Sequence, residues 1–229
     1  MYPRSKATSL KSRYNNDVPK NYENMAVVVA LLLSLMSILM VTESTSAIFS
    51  SSDKNYMDKL CNSVIVLDGE KKPGSSFSST SNSKYKPNTN CTLTFKTAQT
   101  TQRIITTIEK IDIADSNGAT CGDYIKIYDG KFQGPILNKN LAEQCGSSTS
   151  SHVSISNVVV FHFFSNGAKE ATGFKASVAL HFPLVQACPQ DLGVYLCTNK
   201  NCISKLLKCD GHNHCGDNSD EKICSIGKK

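Results

Sequence analysis

From Gly173 to Phe182 the chain alternates, with Phe174, Ala176, Val178, Leu180 and Phe182 on one face and Lys175, Ser177 and His181 on the other. A two-residue period is that of a strand with one side against a core and the other towards water. TLTFKT (Thr92–Thr97), DYIKIYDG (Asp123–Gly130) and HVSISNVVVFHFF (His152–Phe164) predict further strands. The turn-forming runs KPNTN, DSNG, DGKFQG and SNG separate them, and helical periodicity is absent. Short strands punctuated by turns predict an all-β sandwich over residues 61–182.

Elsewhere the pattern differs. Residues 1–24 are basic, and Met25 to Val41 (MAVVVALLLSLMSILMV) holds only apolar residues and two serines. As a helix this run spans about 25 Å, short of the roughly 30 Å hydrocarbon core of a bilayer. Thr45-Ser46-Ala47 then offers a signal-peptidase site, so residues 25–47 are expected to be a signal peptide, with a secreted product beginning near Ile48. The alternative is an uncleaved anchor of a type II plasma-membrane protein, with residues 1–24 in the cytosol. Membrane association is expected only in that case. No second apolar span follows, which speaks against a type I receptor. Residues 48–60 are serine-rich and expected to be a tether.

The formal net charge is +6, half of it from residues 1–24, and the remainder has no basic run, so nucleic acid is not an expected partner. All ten cysteines lie at or beyond Cys61, in even number, which points to an oxidising compartment. No CxxC pair or zinc-finger histidine spacing favours zinc instead. Six cysteines fall between Cys188 and Cys224, interleaved with Asp210, Asp217, Asp220 and Glu221. So short a segment buries too little apolar surface to fold unaided and needs disulfides, a metal or both. Clustered carboxylates suit calcium.

Specific motifs carry two resemblances. Cys61, YKPNTNC (Tyr85–Cys91), CGDYIKIYDG from Cys121, Cys145-Gly146 and Gly173-Phe174 occur in the order of a CUB domain. The block 188–224 resembles an LDL-receptor class A module. The resemblances imply a jelly-roll-like β-sandwich followed by a small disulfide-rich, calcium-binding module, both extracellular. They imply the disulfides Cys61–Cys91, Cys121–Cys145, Cys188–Cys202, Cys197–Cys215 and Cys209–Cys224. Residues 183–187 form a linker too short for the modules to move freely, and 225–229 a tail.

In the class A module the resemblance places calcium at the side chains of Asp210, Asp220 and Glu221 and the carbonyls of Leu207 and His212. His214 stands where the family usually has a carboxylate, and imidazole is a poor calcium ligand, so weak affinity is expected. Tyr195 and Ile203 match the small core. Family members commonly hold a partner's lysine between these carboxylates and a tryptophan. Here Leu207 replaces the tryptophan, and five acidic residues against four lysines leave little field, so that device is not expected. Two histidines, His212 and His214, could titrate near endosomal pH, but drift in an exposed loop is the plainer reading. The CUB resemblance implies a second calcium site of one Glu and two Asp, of which only Asp123 matches clearly. Ala114-Asp115 and Asn166 occupy the other positions. Asn90-Cys91-Thr92 is the one glycosylation sequon.

Catalysis is not expected. Every cysteine has an expected disulfide partner, and the histidines at 152, 162 and 181 sit in strand patterns without a nucleophile motif. The order CUB then class A resembles Neto-type auxiliary subunits, which associate with ionotropic glutamate receptors of NMDA or kainate class. The leading expectation is therefore a secreted auxiliary protein that modulates such a receptor, at a synapse among other places. The alternatives are an endocytic or matrix adaptor capturing a secreted protein or lipoprotein, and a recognition factor of innate immunity or fertilisation.

Overall fold

The computed structural model describes residues 55–114, 121–138, 143–183, 188 and 193–224. The expected signal segment, most of the tether and residues 184–187 of the linker lie outside them. Among the described residues no helix is long and apolar enough to cross a membrane.

Two sheets face each other. One has five strands in the order β1 (Asn55–Tyr56), β3 (Gly74–Ser78), β9 (Gly173–His181), β5 (Arg103–Asp112) and β7 (Ser150–Val153). The other has β2 (Ser63–Leu67), β4 (Asn90–Thr97), β8 (Val158–Phe164) and β6 (Tyr124–Asp129). β1–β3 and β2–β4 pair in parallel, and every other pair in these sheets is antiparallel. Alternate residues of the facing strands close the core around Phe77, whose ring meets Phe161 edge-on at 5.0 Å and Phe174 at 6.0 Å. Such contacts add to the area term that dominates the packing.

The sequence expectations need three corrections. Residues 55–60 are part of the sandwich, not a tether: Met57 is buried in the core and Asn55 Nδ2 donates to Ser75 Oγ at 3.2 Å. The run His152–Phe164 is not one strand. Its apolar positions continue, but Asp129 accepts from the N–H groups of Ile155 (2.7 Å) and Ser156 (3.0 Å) and breaks the run into β7 and β8, in opposite sheets. Finally, β9 is not half-exposed. Ser177 and Ala179, on the side the alternation assigns to water, are as buried as their core-facing neighbours.

What covers them is the C-terminal module. There β10 (Val194–Leu196) pairs with β11 (Cys202–Ser204), followed by 3-10 turns at Lys205–Leu207 and Ser219–Glu221. The module lies on the outer face of the five-stranded sheet, where Leu207 packs with Ile105 and Ala179. Gly74 makes room: a Cβ there would stand 2.9 Å from Leu207 Cδ1 and 2.8 Å from Val178 O. Ser177 Oγ donates to Asn213 O (2.7 Å), and Phe182 N to Cys202 O (3.3 Å).

Glu109 anchors the polar part. Its Oε1 accepts from Asn213 N at 2.9 Å, and its Oε2 lies 3.3 Å from Lys175 Nζ and 3.6 Å from His212 Nδ1. Burial opposes its charge, but the His212 ring, the Lys175 ammonium and the Asn213 amide outweigh it and hold the carboxyl down at about 2. A carboxyl lowered on folding adds stability above its unfolded pKa and loses it as pH falls to the folded one. Glu109→Gln should therefore lower Tm at pH 7 by about 2–6 °C, for about 1–2 kcal/mol. Thermal scans should show the gap to wild type closing between about pH 4.5 and pH 2.

Candidate functional site

The 3-10 turn at Ser219–Glu221 and the loop from Cys209 to His214 face each other, joined at Cys209–Cys224. Glu221 spends both oxygens on the loop backbone, Oε1 accepting from Asp210 N and Oε2 from Gly211 N, each at 3.0 Å. Asp210 Oδ1 accepts from His212 N, and its Oδ2 lies 3.0 Å from His214 Nε2. Asp220 is fully buried; its Oδ2 accepts from His214 N (2.7 Å) and Cys215 N (3.2 Å). Its Oδ1 is buried with no partner, and burial pushes this carboxyl above its ordinary value.

These residues fit a calcium ion with one donor missing. The orphaned Asp220 oxygen is what a cation would satisfy, since a buried unpaired carboxylate oxygen is costly. Yet no three metal-ligating side chains converge among the described residues, because Asp210 is turned to His214. An ion would have to take Asp210 from that imidazole, which weakens its hold. Asp217 has a separate task, bracing the turn by accepting from Ser219 N and Asn199 N.

His212 and His214 are not drifting surface residues. His214 is buried, with Nδ1 3.2 Å from Val178 O, and His212 Nε2 lies 2.9 Å from Ser76 Oγ. Both are wedged against the sheet. Leu207, where the class A resemblance implies a tryptophan, is buried too. Leu207 and His214, the two positions that depart from the family's lysine-holding device, thus meet the protein's own sheet.

At the second implied calcium position Asp123 is held by hydrogen bonds. Asp123 is buried; Oδ2 accepts from Tyr85 Oη at 2.5 Å and Oδ1 from Asn166 N at 2.7 Å. Tyr85 Oη in turn accepts from Ala114 N at 3.0 Å. Burial, followed by the Asp123 carboxylate, pushes the Tyr85 hydroxyl up, so it stays a proton donor. The fold does gather Asp123, Asn166 and Ala114, and Asp123 is the one carboxylate among them; Asp115 lies outside the described residues. The five expected cysteine pairs are bonded, and no described cysteine is free.

The CUB domain family profile matches residues 61–178, over half of the chain. The chain belongs to the CUB domain family. The low-density lipoprotein receptor domain class A profile matches 187–224. Both are non-catalytic, extracellular module types that commonly bind calcium and protein partners. The "Suppressor of tumorigenicity 14 protein homolog" of Bos taurus is 30% identical over 143 residues, 61% of this chain and 15% of that protein. The "Astacin-like metalloendopeptidase" of Gallus gallus is 32% identical over 96 residues, 41% of this chain and 22% of that protein. The chain thus spans under a quarter of the length of these relatives. Among solved structures, the human MASP-1/3 CUB1-EGF-CUB2 domain superposes at TM-score 0.41 and 20% identity, over 51% of this chain and 41% of that one. The MASP-1 CUB2 domain bound to Ca2+ does so at 0.40 and 19%, over 50% and 96%.

In this CUB domain the class A module is held by close approach, so a side chain at the approach point should dislodge it. Gly74→Val is expected to free the module and to strain the β3–β9 pairing at Val178 O, while the β4–β8 pairing of the opposite sheet stays folded. Hydrogen exchange should show it: the Asn213 amide, now held by Glu109, exchanges faster, and core amides of β4 and β8 do not.

Proposed function

We propose that the two modules act as one rigid, non-catalytic unit that binds the extracellular region of a membrane receptor. An ionotropic glutamate receptor of NMDA or kainate class is the first candidate. The observation carrying this reading is the docking of Leu207, His212, Asn213 and His214 on the five-stranded sheet. It makes one continuous surface of two modules. A stable interface buries about 1,200–2,000 Å², an area the small module supplies poorly alone. The choice of receptor rests on the CUB-then-class-A order, which resembles Neto-type subunits, and is an analogy of architecture. An adaptor that captured cargo with the class A lysine device would need the face that is turned inwards here.

A secreted product starting near Ile48 belongs to the same proposal. It should bind receptor ectodomains when added outside cells and change agonist-evoked currents. Gly74→Val should weaken binding about tenfold or more, since the partner then meets two loosely tethered pieces. A glycine-serine insertion after Pro183 should cost little, because docking, not the linker, fixes the pair. Unchanged currents across NMDA- and kainate-class receptors would overturn the receptor assignment and favour the adaptor.

Weak calcium binding at Asp210, Asp220 and Glu221, with the Leu207 and His212 carbonyls, completes the proposal. The ion would brace the loop against the last turn. His214→Asp should tighten it about tenfold or more by restoring a carboxylate. Calorimetric titration of both proteins is the check: equal affinities would overturn the role given to His214, and no binding heat in either would remove calcium from the account.

A further inference from the structure

The outer face of the four-stranded sheet carries a row of side chains that the module pair leaves uncovered. Asn90 on β4 pairs directly with Phe164 on β8, and Phe164 with Tyr124 on β6. The Phe164 and Tyr124 rings stack at 5.2 Å with 22° between planes, both partly exposed. Directly opposed residues have Cβ atoms about 4.5–5.5 Å apart, so the Phe164 ring starts beside Asn90. Phe132, 43% exposed, continues the apolar surface over His162.

Asn90 is oriented as well as exposed. His162 Nε2 lies 2.8 Å from Asn90 Oδ1. Burial, and Lys126 alongside, push the His162 ring below its ordinary value, so at pH 7 it is neutral. An acceptor such as Oδ1 then selects the tautomer with the proton on Nε2. That bond fixes the amide by its oxygen. Asn90 Nδ2, the atom that N-glycosylation modifies, has no partner among the described residues. Thr92, two residues on, completes the acceptor signal.

We propose that Asn90 carries an N-linked glycan whose first N-acetylglucosamine lies on the Phe164–Tyr124 row and covers this face of the CUB sheet. The donor is a lipid-diphosphate-linked oligosaccharide of the secretory pathway. Asn90 Nδ2 forms a bond to C1 of the reducing-end sugar, the C1–O bond to the diphosphate breaks, the lipid diphosphate leaves, and the amide proton passes to the transferase's base. Hydrogen bonding at Oδ1 survives, because the reaction leaves that oxygen free. The sugar's C–H face is apolar and matches an aromatic face, whereas its hydroxyls stay in water. Cys91, in the middle of the signal, is bonded to Cys61 within a paired strand. The reaction therefore precedes closure of that disulfide, which makes occupancy sensitive to the rate of oxidation.

The inference rests on the extracellular reading of the chain, and its test separates the two. The full chain is made in a eukaryotic secretory cell line, and its peptides are analysed by mass spectrometry with and without glycosidase. A chain that enters neither medium nor membranes overturns both readings; one exported without a sugar at Asn90 overturns only this one. Occupancy should rise when a mild reductant delays disulfide closure during synthesis. Endoglycosidase trimming then leaves one N-acetylglucosamine, and its melting is compared with that of Thr92→Ala, which loses the signal but keeps Asn90 and its His162 bond. The trimmed protein should melt about 2–4 °C higher. In a Phe164→Ala background, with the signal intact or removed, the difference should fall by more than half. A difference of the same size in both backgrounds would place the sugar off the row and overturn the seating. If Phe164→Ala does not fold, Tyr124→Ala supplies the same comparison from the other ring.

Discussion

The rest of the structure depends on one surface that cannot be left in water: the outer side of β5 and β9. Ile105 and Ala179 are apolar residues on the face that the alternation of a sandwich strand would give to solvent. Leu207 covers them, and burying a leucine side chain is worth about 1.5–3 kcal/mol. A module with so few buried apolar residues of its own has little else to offer a partner domain. Once Leu207 is seated, the loop that follows is carried onto β3, β5 and β9, where Ser76, Glu109 and Val178 present the polar groups that receive it. The apolar contact provides most of the attraction; the polar contacts fix the orientation.

Glu109 illustrates how the two differ. A carboxylate moved under a protein surface loses hydration, and only paired charges and N–H donors make that tolerable. Here Lys175 comes from the sheet, while His212 and the Asn213 amide come from the module. Two of these three partners are therefore present only when the module is in place. A misplaced module would leave a buried carboxylate short of partners, so the site discriminates against wrong dockings more than it drives the correct one. His214 is likewise placed between sheet and loop, with Nδ1 beside Val178 O and Nε2 beside Asp210 Oδ2.

How much of this was legible in the sequence follows from which forces act locally. The sandwich could be read because inward and outward residues alternate along β4, β6 and β9, and the motif order carried the family. β5 went unread: RIITTIEKID carries isoleucines on both faces, since it is covered on both, and so lacks the two-residue period. Its β-branched run was the remaining signal. β3 is nearly all serine and glycine, and its strand character comes from its neighbours. The split at Ser154–Asn157 was hidden because it depends on Asp129, far away in sequence. In the C-terminal module, the residue types of the loop from Cys209 to His214 were plain, but their direction was not. Leu207 in place of a tryptophan, and His214 in place of a carboxylate, read as losses of function when no partner was in view. Against the sheet they become contacts.

That reversal narrows where a partner can bind. Substituting two residues of a binding face with groups that fit a neighbouring sheet exchanges an outward interaction for an inward one, and the inward one has no translational entropy to overcome. What the docked module still offers outside is the far side of the disulfide knot, including Leu196, Leu206 and Ile223, all exposed. Val153 and Ile155 are exposed at and just beyond the end of β7, an edge strand of the sheet that carries the module. Scattered apolar residues of this kind are ordinary on any surface. Held in a fixed relation by the docking, residues on two separately folded modules become able to meet one rigid partner at once, without ordering a hinge. On the function proposed above, recognition is then a property of the pair, and the interface within the chain is its first determinant.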